Sequence, residues 1–205
     1  MTNQEKGQAY GQTRQSFIDK LTIKQRMHHA LKMIAVFKLS DIDERSVLEL
    51  GCGYQGSNLI DLVRHYPCFQ CLGIDKVVNA DAGRNNITLL SDDITTWHPS
   101  NFFDIVLSLA VVEHLPDPSR HLRLIYQSLK PGGIAILSTP MPGAHASWSL
   151  LGKLRLIDTS TGNAHMLYLT QQGVNYLAEQ AGLKVINQKL FEFGLNQIVL
   201  LEKPK

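Results

Sequence analysis

Short apolar runs alternate along the chain with longer stretches in which apolar residues recur every three or four positions. The runs are Ser46 to Leu50, Phe69 to Ile74, Ile87 to Leu90, Phe103 to Leu109 and Ile134 to Ser138. Continuous runs of this length suit strands buried on both faces, the habit of a parallel sheet whose crossovers are helices. Between them, Ser57 to His65 has helical spacing behind a small polar start. Pro118 to Leu129 opens on Pro-Ser and is stopped by Pro131-Gly132-Gly133, again a helix by its end signals. Both suit right-handed crossovers. Toward the C-terminus, Thr170 to Ala181 reads as a helix ended by Gly182. Two strands follow, Leu183 to Phe193 and Gln197 to Glu202, joined through Gly194.

Ahead of the sheet, Phe17, Ile18, Leu21, Met27, Leu31, Ile34, Ala35 and Phe37 fall at near-helical spacing among Lys, Arg and Gln. Residues 12–39 are therefore expected to form one or two amphipathic helices that can cover the sheet's ligand edge. His28 and His29 are adjacent, so their side chains leave a helix about 100° apart and read as surface or boundary histidines. The stretch Thr139 to Leu169 has no periodicity and is rich in Gly, Ser, His and Pro. Long irregular connections inside a domain are usually functional. A substrate-reading lid is expected there, carrying His145, Trp148, His165 and Tyr168. With no repeat or low-complexity tract, the organisation expected is a single α/β domain. It comprises an N-terminal helical extension (1–40), a core (41–138), the lid (139–169) and a C-terminal helix with a strand pair (170–205).

Composition narrows the partners. A chain of 205 residues closes one core, and 44% apolar with 19% charged residues is ordinary for a folded globular protein. Net charge is +2, with basic residues scattered rather than gathered into a stripe that would track phosphates. Nucleic acid is accordingly not expected as a partner. No apolar stretch approaches the ~18 residues of a membrane span, and Met1 to Gly11 lacks the apolar core of a signal peptide, so no membrane partner and a cytoplasmic location are expected. The three cysteines, Cys52, Cys68 and Cys71, do not make a disulfide framework. Cys68 and Cys71 form a C-x-x-C, but Cys71 lies in an apolar run and no second ligand pair exists. It is read as a small buried hydrophobe, and no metal site is expected.

The candidate chemistry starts at Val47-Leu48-Glu49-Leu50-Gly51-Cys52-Gly53-Tyr54-Gln55-Gly56, a strand running into a glycine-rich turn ahead of a helix. Glycines at such a turn permit positive φ and close ligand approach, and the helix start offers N–H groups. Asp75 closes the next strand, where an acidic residue accepts hydrogen bonds from ribose hydroxyls. Both features suit any nucleotide-like ligand, NAD included.

The neighbourhood separates the possibilities. Glu49 precedes the first glycine by two residues. Asp93-Ile94 follows the third strand, and Phe103-Asp104-Ile105-Val106-Leu107-Ser108, Glu113-His114-Leu115 and Leu129-Lys130-Pro131-Gly132-Gly133 come in that order. Together they resemble the class I S-adenosylmethionine-dependent methyltransferases, of the small-molecule, methyltransferase type 11-like kind, from about Val47 to Gly133. The resemblance implies a Rossmann-like, seven-stranded, mostly parallel sheet with one antiparallel strand and helices on both faces. S-adenosylmethionine would lie across the strand ends, with S-adenosylhomocysteine as product. It further implies that Glu49 and the backbone of Gly51 and Gly53 hold the methionine end, and that Asp75 accepts the ribose hydroxyls. Asp93 would accept from the adenine amino group, with Ile94 and Lys76 beside the adenosine. Leu109 and Ala110 would form an apolar wall near the sulfonium, where water must be kept out. The sequence departs from the family at Lys76 to Asn86, which is too short for the usual second crossover helix.

Methyl transfer is an in-line displacement in which positioning supplies most of the acceleration, and a base helps only when the acceptor must lose a proton. His114, just past the fourth strand, is the candidate catalytic base. Glu113 with His114 falls short of a cation site because Ala110 stands where a further carboxylate would help. The expected acceptor is a small or lipid-like molecule, since no Asn-Pro-Pro-Tyr-like residues follow the fourth strand. The competing readings are a non-catalytic module of the same fold and an NAD-dependent oxidoreductase, the latter supported by the glycine pattern and Asp75 only.

Overall fold

The computed structural model describes residues 17–36, 44–100, 102–143 and 167–205. Its strands are β1 (Ser46–Leu50), β2 (Gln70–Asp75), β3 (Ile87–Ser91), β4 (Phe103–Leu109), β5 (Leu129–Pro140), β6 (Lys184–Phe191) and β7 (Asn196–Glu202). They form one seven-stranded sheet in the order β3-β2-β1-β4-β5-β7-β6. Pairing is parallel from β3 through β5, and β7 runs antiparallel to both β5 and β6. The helices are α1 (Phe17–Val36), α2 (Ser57–His65), α3 (Pro118–Ser128) and α4 (Gln171–Gln180). The alternation of runs and periodic segments foretold the parallel sheet with helices, and the family resemblance its Rossmann-like seven strands with an antiparallel member.

Alternation within each strand divides the core into two layers. Val47, Ile105, Leu107 and Ile136 pack with Met27, Ala30, Met33 and Ile34 of α1 and with Leu59 and Leu62 of α2. On the opposite face Leu48, Leu50, Val106 and Leu137 pack with Leu122 and Ile125 of α3 and with Val174 and Ala178 of α4. Side chains alternate across a strand, so the central runs must be apolar throughout. Cys71 is buried within the first layer, and burial pushes its thiol up to about 12, as expected of a structural cysteine.

Helix ends follow side-chain caps. Asp117 accepts from the Arg120 N–H at 2.9 Å with Pro118 at the first helical position, and Thr170 accepts from the Gly173 N–H at 3.0 Å. Each satisfies an amide that the helix itself leaves free. At the sheet's lower end Asp104 accepts from the N–H (2.9 Å) and hydroxyl (2.8 Å) of Ser46 and from Lys130 Nζ (2.8 Å). Burial works against its charge, yet the bonds from Lys130 and Ser46 hold the carboxyl below its ordinary range. Asp104 is thus a tie between β1, β4 and β5, far from the ligand edge.

One difference from the sequence reading has a local cause. The strand expected at Ile134 to Ser138 extends back to Leu129, because Pro131-Gly132-Gly133 kinks the strand without ending it. Gly132 has φ 75°, its N–H donates to the Lys203 carbonyl at 2.8 Å, and Lys203 N–H returns a bond to Gly133 at 2.9 Å. Between β2 and β3 there is only a single 3-10 turn, Ala80–Ala82, the short crossover that the chain length there foretold. Ile94 and Trp97, from the equally short link after β3, pack onto the α3 face.

Candidate functional site

The C-terminal ends of β1, β2, β3 and β4 come together at one edge of the sheet, the position where a parallel sheet binds its ligands. Glu49 sits one residue from the end of β1, opposite Gly73 of β2 and Leu107 of β4. It faces the α2 layer and is fully buried. Its Oε1 accepts from Asn58 Nδ2 at 2.7 Å, while Oε2 has no hydrogen-bond partner. Burial, opposed by the Asn58 bond and reinforced by the charge of Asp75, pushes the carboxyl up to about 8. A buried acceptor left without a donor is rare in native proteins, and here it lies directly under the glycine turn.

That turn is built by glycine at positions only glycine suits. Gly51, Gly53 and Gly56 have φ of 77°, 70° and 59°. A Cβ on Gly51 would stand 2.4 Å from Val111 Cγ2. The turn's amides, however, are engaged internally: the N–H groups of Gly51 and Cys52 donate to the Ile74 carbonyl at 2.8 and 3.1 Å, and Gly53 N–H donates to Asp75 Oδ2 at 2.8 Å. Any backbone hold on a ligand at Gly51 and Gly53 therefore falls to their carbonyls rather than to these N–H groups. What the turn offers is carbonyl oxygen beside a buried carboxylate. Such an arrangement suits a cationic, hydrogen-donating group and opposes a pyrophosphate.

Asp75 closes β2, as expected. Its Oδ2 takes the Gly53 N–H and its Oδ1 the Lys76 N–H at 2.7 Å. These bonds aim the carboxylate and leave each oxygen a further lone pair. Asp93 is occupied differently. Its Oδ1 accepts from the Thr95 N–H (2.9 Å) and hydroxyl (2.7 Å), which close the turn at 94–96, and Oδ2 lies 3.4 Å from Lys76 Nζ. The two Thr95 bonds come first among the causes that hold this carboxyl below its ordinary range. The Lys76 pair is exposed and contributes little stability. Ile94, next to it, is half-buried against Trp97 and the α3 face.

Leu109 is buried at the end of β4, and Ala110 follows with φ 59°, a left-handed conformation strained for alanine. The Ala110 N–H donates to the carbonyl (3.0 Å) and hydroxyl (3.1 Å) of Ser138, which hold it in place. Strain of this kind gathers at sites where surrounding structure over-determines it. Beyond lies a 3-10 turn, Val112–His114, in which Glu113 is buried and His114 half-buried. One residue before Leu109, Ser108 Oγ meets His121 Nε2 at 2.8 Å in the opposite layer. Burial lowers His121 to about 4, so the pair pins β4 to α3 in its neutral form.

The structure therefore brings Glu49, Gly51, Gly53, Asp75, Leu109 and Ala110 to one edge, with Lys76, Asp93 and Ile94 at its β3 side and His114 at its β5 side. Of the expected lid residues, His145, Trp148 and His165 lie outside the described residues. Tyr168 is half-buried, and the Glu113 charge acts on its hydroxyl. Asn58 and Ser138 were not singled out from sequence. Asn58 had a faint signal, a polar residue in the first turn of the helix after the glycines, whereas Ser138 is seen only through strand pairing.

Comparisons agree with this geometry. A family model described as a methyltransferase domain matches residues 13–188. The chain is 34% identical over 110 residues to trans-aconitate 2-methyltransferase of Deinococcus radiodurans, covering 51% of this chain and 42% of the relative. Identity is 36% over 96 residues to ubiquinone biosynthesis O-methyltransferase of Ruegeria pomeroyi (45% of this chain, 38% of the relative). It is 32% over 97 residues to tRNA (carboxymethyluridine(34)-5-O)-methyltransferase of Schizosaccharomyces pombe (43% and 39%). The matched stretch thus spans about two fifths of each of these curated relatives. Among solved structures, the complex of the Haloferax volcanii Trm112 methyltransferase activator with a methyltransferase has the same fold. Its TM-score is 0.70 at 18% identity, with 94% of this chain and 100% of that chain covered. With most of its length matched by the family model, the chain belongs to the methyltransferase domain family, in its class I, S-adenosylmethionine-dependent form.

Proposed function

We propose that this chain transfers a methyl group from S-adenosylmethionine to a small-molecule acceptor. The observation that carries the reading is Glu49, a buried carboxylate whose Oε2 lacks a donor beneath a turn whose amides are engaged. An ammonium group supplies both the charge and the N–H that this position lacks. S-adenosylmethionine, when bound, supplies a methyl group made electrophilic by the sulfonium that carries it.

The reading gives each residue a role that its position supports. Glu49 and the carbonyls of the Gly51–Gly53 turn hold the ammonium end. Asp75 accepts the ribose hydroxyls, and Lys76, Asp93 and Ile94 flank the adenine. Leu109 and Ala110 keep water from the reacting centre, where exclusion of solvent prevents loss of the methyl group. Holding two reactants in line provides most of the rate. A base matters only for acceptors that must lose a proton, and His114 is the candidate the sequence offers.

The whole chain functions as one domain in this reading, with 139–169 as the acceptor-side segment, and works in the cytoplasm. No helix among the described residues is long and apolar enough to cross a membrane. A small acceptor is supported by the scattered basic residues and by relatives whose names place them on trans-aconitate and in ubiquinone biosynthesis. The tRNA-modifying relative supplies the opposing case. Incubation with methyl-labelled S-adenosylmethionine, in parallel with a set of small carboxylates, phenols and amines and with total tRNA, decides between them. Label is expected in a small-molecule product, and label in tRNA would contradict the proposal.

A further inference from the structure

Arg26 Nε and Glu113 Oε2, two buried polar atoms without a hydrogen-bond partner, lie beyond the cofactor cradle, and the Thr139 hydroxyl bonds to the Glu113 carboxyl. They come from separate elements, namely α1, the turn after β4 and the end of β5. Their convergence is visible in the electrostatics, since Arg26, His114 and the Thr139 hydroxyl all act on the Glu113 carboxyl, and Glu113 acts in turn on Tyr168. Native interiors pair nearly all such groups, so two left open in one place mark a position that a polar ligand completes. This position is not the cradle itself. Val111, two residues earlier, packs against Gly51, whereas Glu113 looks toward β5 and α1.

We propose that Glu113 receives the methyl acceptor: its carboxylate takes a hydrogen bond from an acceptor hydroxyl or amine and removes that proton during transfer. The inference rests on the methyltransferase reading above and narrows it to protic acceptors. As the acceptor's O–H or N–H bond breaks, the proton goes to a Glu113 oxygen. The electron pair left on the acceptor forms the bond to the methyl carbon, and the pair of the broken carbon–sulfur bond stays on sulfur. A carboxylate acceptor has no proton to give and would place like charge against Glu113. Arg26 keeps a donor for the acceptor's other polar atoms. His114 shares the turn but is half-buried, whereas Glu113 is 1% exposed with an oxygen left open.

Burial pushes the Glu113 carboxyl above its ordinary range, with His114, its own backbone N–H, Arg26 and the Thr139 hydrogen bond pulling the other way and Tyr168 the remaining titratable neighbour. Affinity for a protic acceptor therefore rises with pH as this carboxyl ionises. The experiment is calorimetric titration of the full chain, saturated with S-adenosylhomocysteine, with catechol, ethanolamine and trans-aconitate between pH 6 and 8.5. At least one of the first two is expected to bind, more tightly at higher pH. Glu113→Gln should weaken it by about tenfold or more and remove the pH dependence, with S-adenosylhomocysteine affinity unchanged. Glu113→Asp, which keeps the charge, should retain the pH dependence and provides a second variant if the first fails to fold. Binding of trans-aconitate alone, no binding of either protic probe, or protic binding indifferent to Glu113→Gln would each overturn the proposal. Failure of the wild type to bind S-adenosylhomocysteine would instead overturn the methyltransferase reading beneath it.

Discussion

Glu49→Gln is expected to weaken S-adenosylhomocysteine binding roughly 10- to 100-fold while making the ligand-free protein more stable at pH 8.5. Both effects have one origin. The carboxyl is buried, shares one hydrogen bond with Asn58 and leaves Oε2 open, and burial pushes it up to about 8. Between the ordinary glutamate range and pH 8, the folded chain holds a proton that the unfolded chain has released. Stability therefore falls as pH rises through that window, by an amount on the order of 3 to 5 kcal/mol. Glutamine carries no charge to bury, so the variant's stability should lose this part of its pH dependence. Urea denaturation of both proteins at pH 5.5, 7 and 8.5 reads the difference directly. Equal slopes with pH, or undiminished ligand affinity, would remove Glu49 from the account. A site group that destabilises the empty protein is one whose retention needs a ligand to explain it.

Gly51→Ala is the second large effect. Gly51 has φ 77°, and its new Cβ would lie 2.4 Å from Val111 Cγ2. Left-handed backbone costs a residue with a Cβ about 1 to 2 kcal/mol, and forcing atoms into a packed contact adds about 1 to 3 kcal/mol. A loss of about 2 to 5 kcal/mol is expected in chemical denaturation, with loss of S-adenosylhomocysteine binding because Val111 and the turn must separate. A loss under about 0.5 kcal/mol would mean that the turn adapts, and that the glycine is not there for shape.

The sheet was legible because burial on both faces writes an unbroken apolar run, and β4 was read with both its ends, Phe103 and Leu109, in place. Asp75 was legible for a related reason, since a strand end after a glycine turn fixes where the next carboxylate stands. The glycine turn itself was half legible. Positive φ at Gly51 and Gly53 follows from residue type, but the direction of their amides follows from Ile74 and Asp75, which lie more than twenty positions away. Asp93 shows the same limit: the short-range Asp-x-Thr bond to Thr95 competes with any ligand for the same oxygen. The β5 start was misplaced because Pro-Gly-Gly signals a turn locally, while pairing with Lys203 carries the strand through it. Least legible was the proposed acceptor side: Arg26, Glu113, Thr139 and Tyr168 are far apart in sequence, and only tertiary packing brings them within electrostatic reach of one another.

The most direct test of the central claim is calorimetric titration of the purified chain with S-adenosylhomocysteine, with NAD as the control, at pH 7 in two buffers of different ionisation enthalpy. Saturable binding of S-adenosylhomocysteine only is expected, with net release of a proton as the ligand's ammonium group draws Glu49 into its charged form. Binding of NAD instead, or binding of neither, would contradict it.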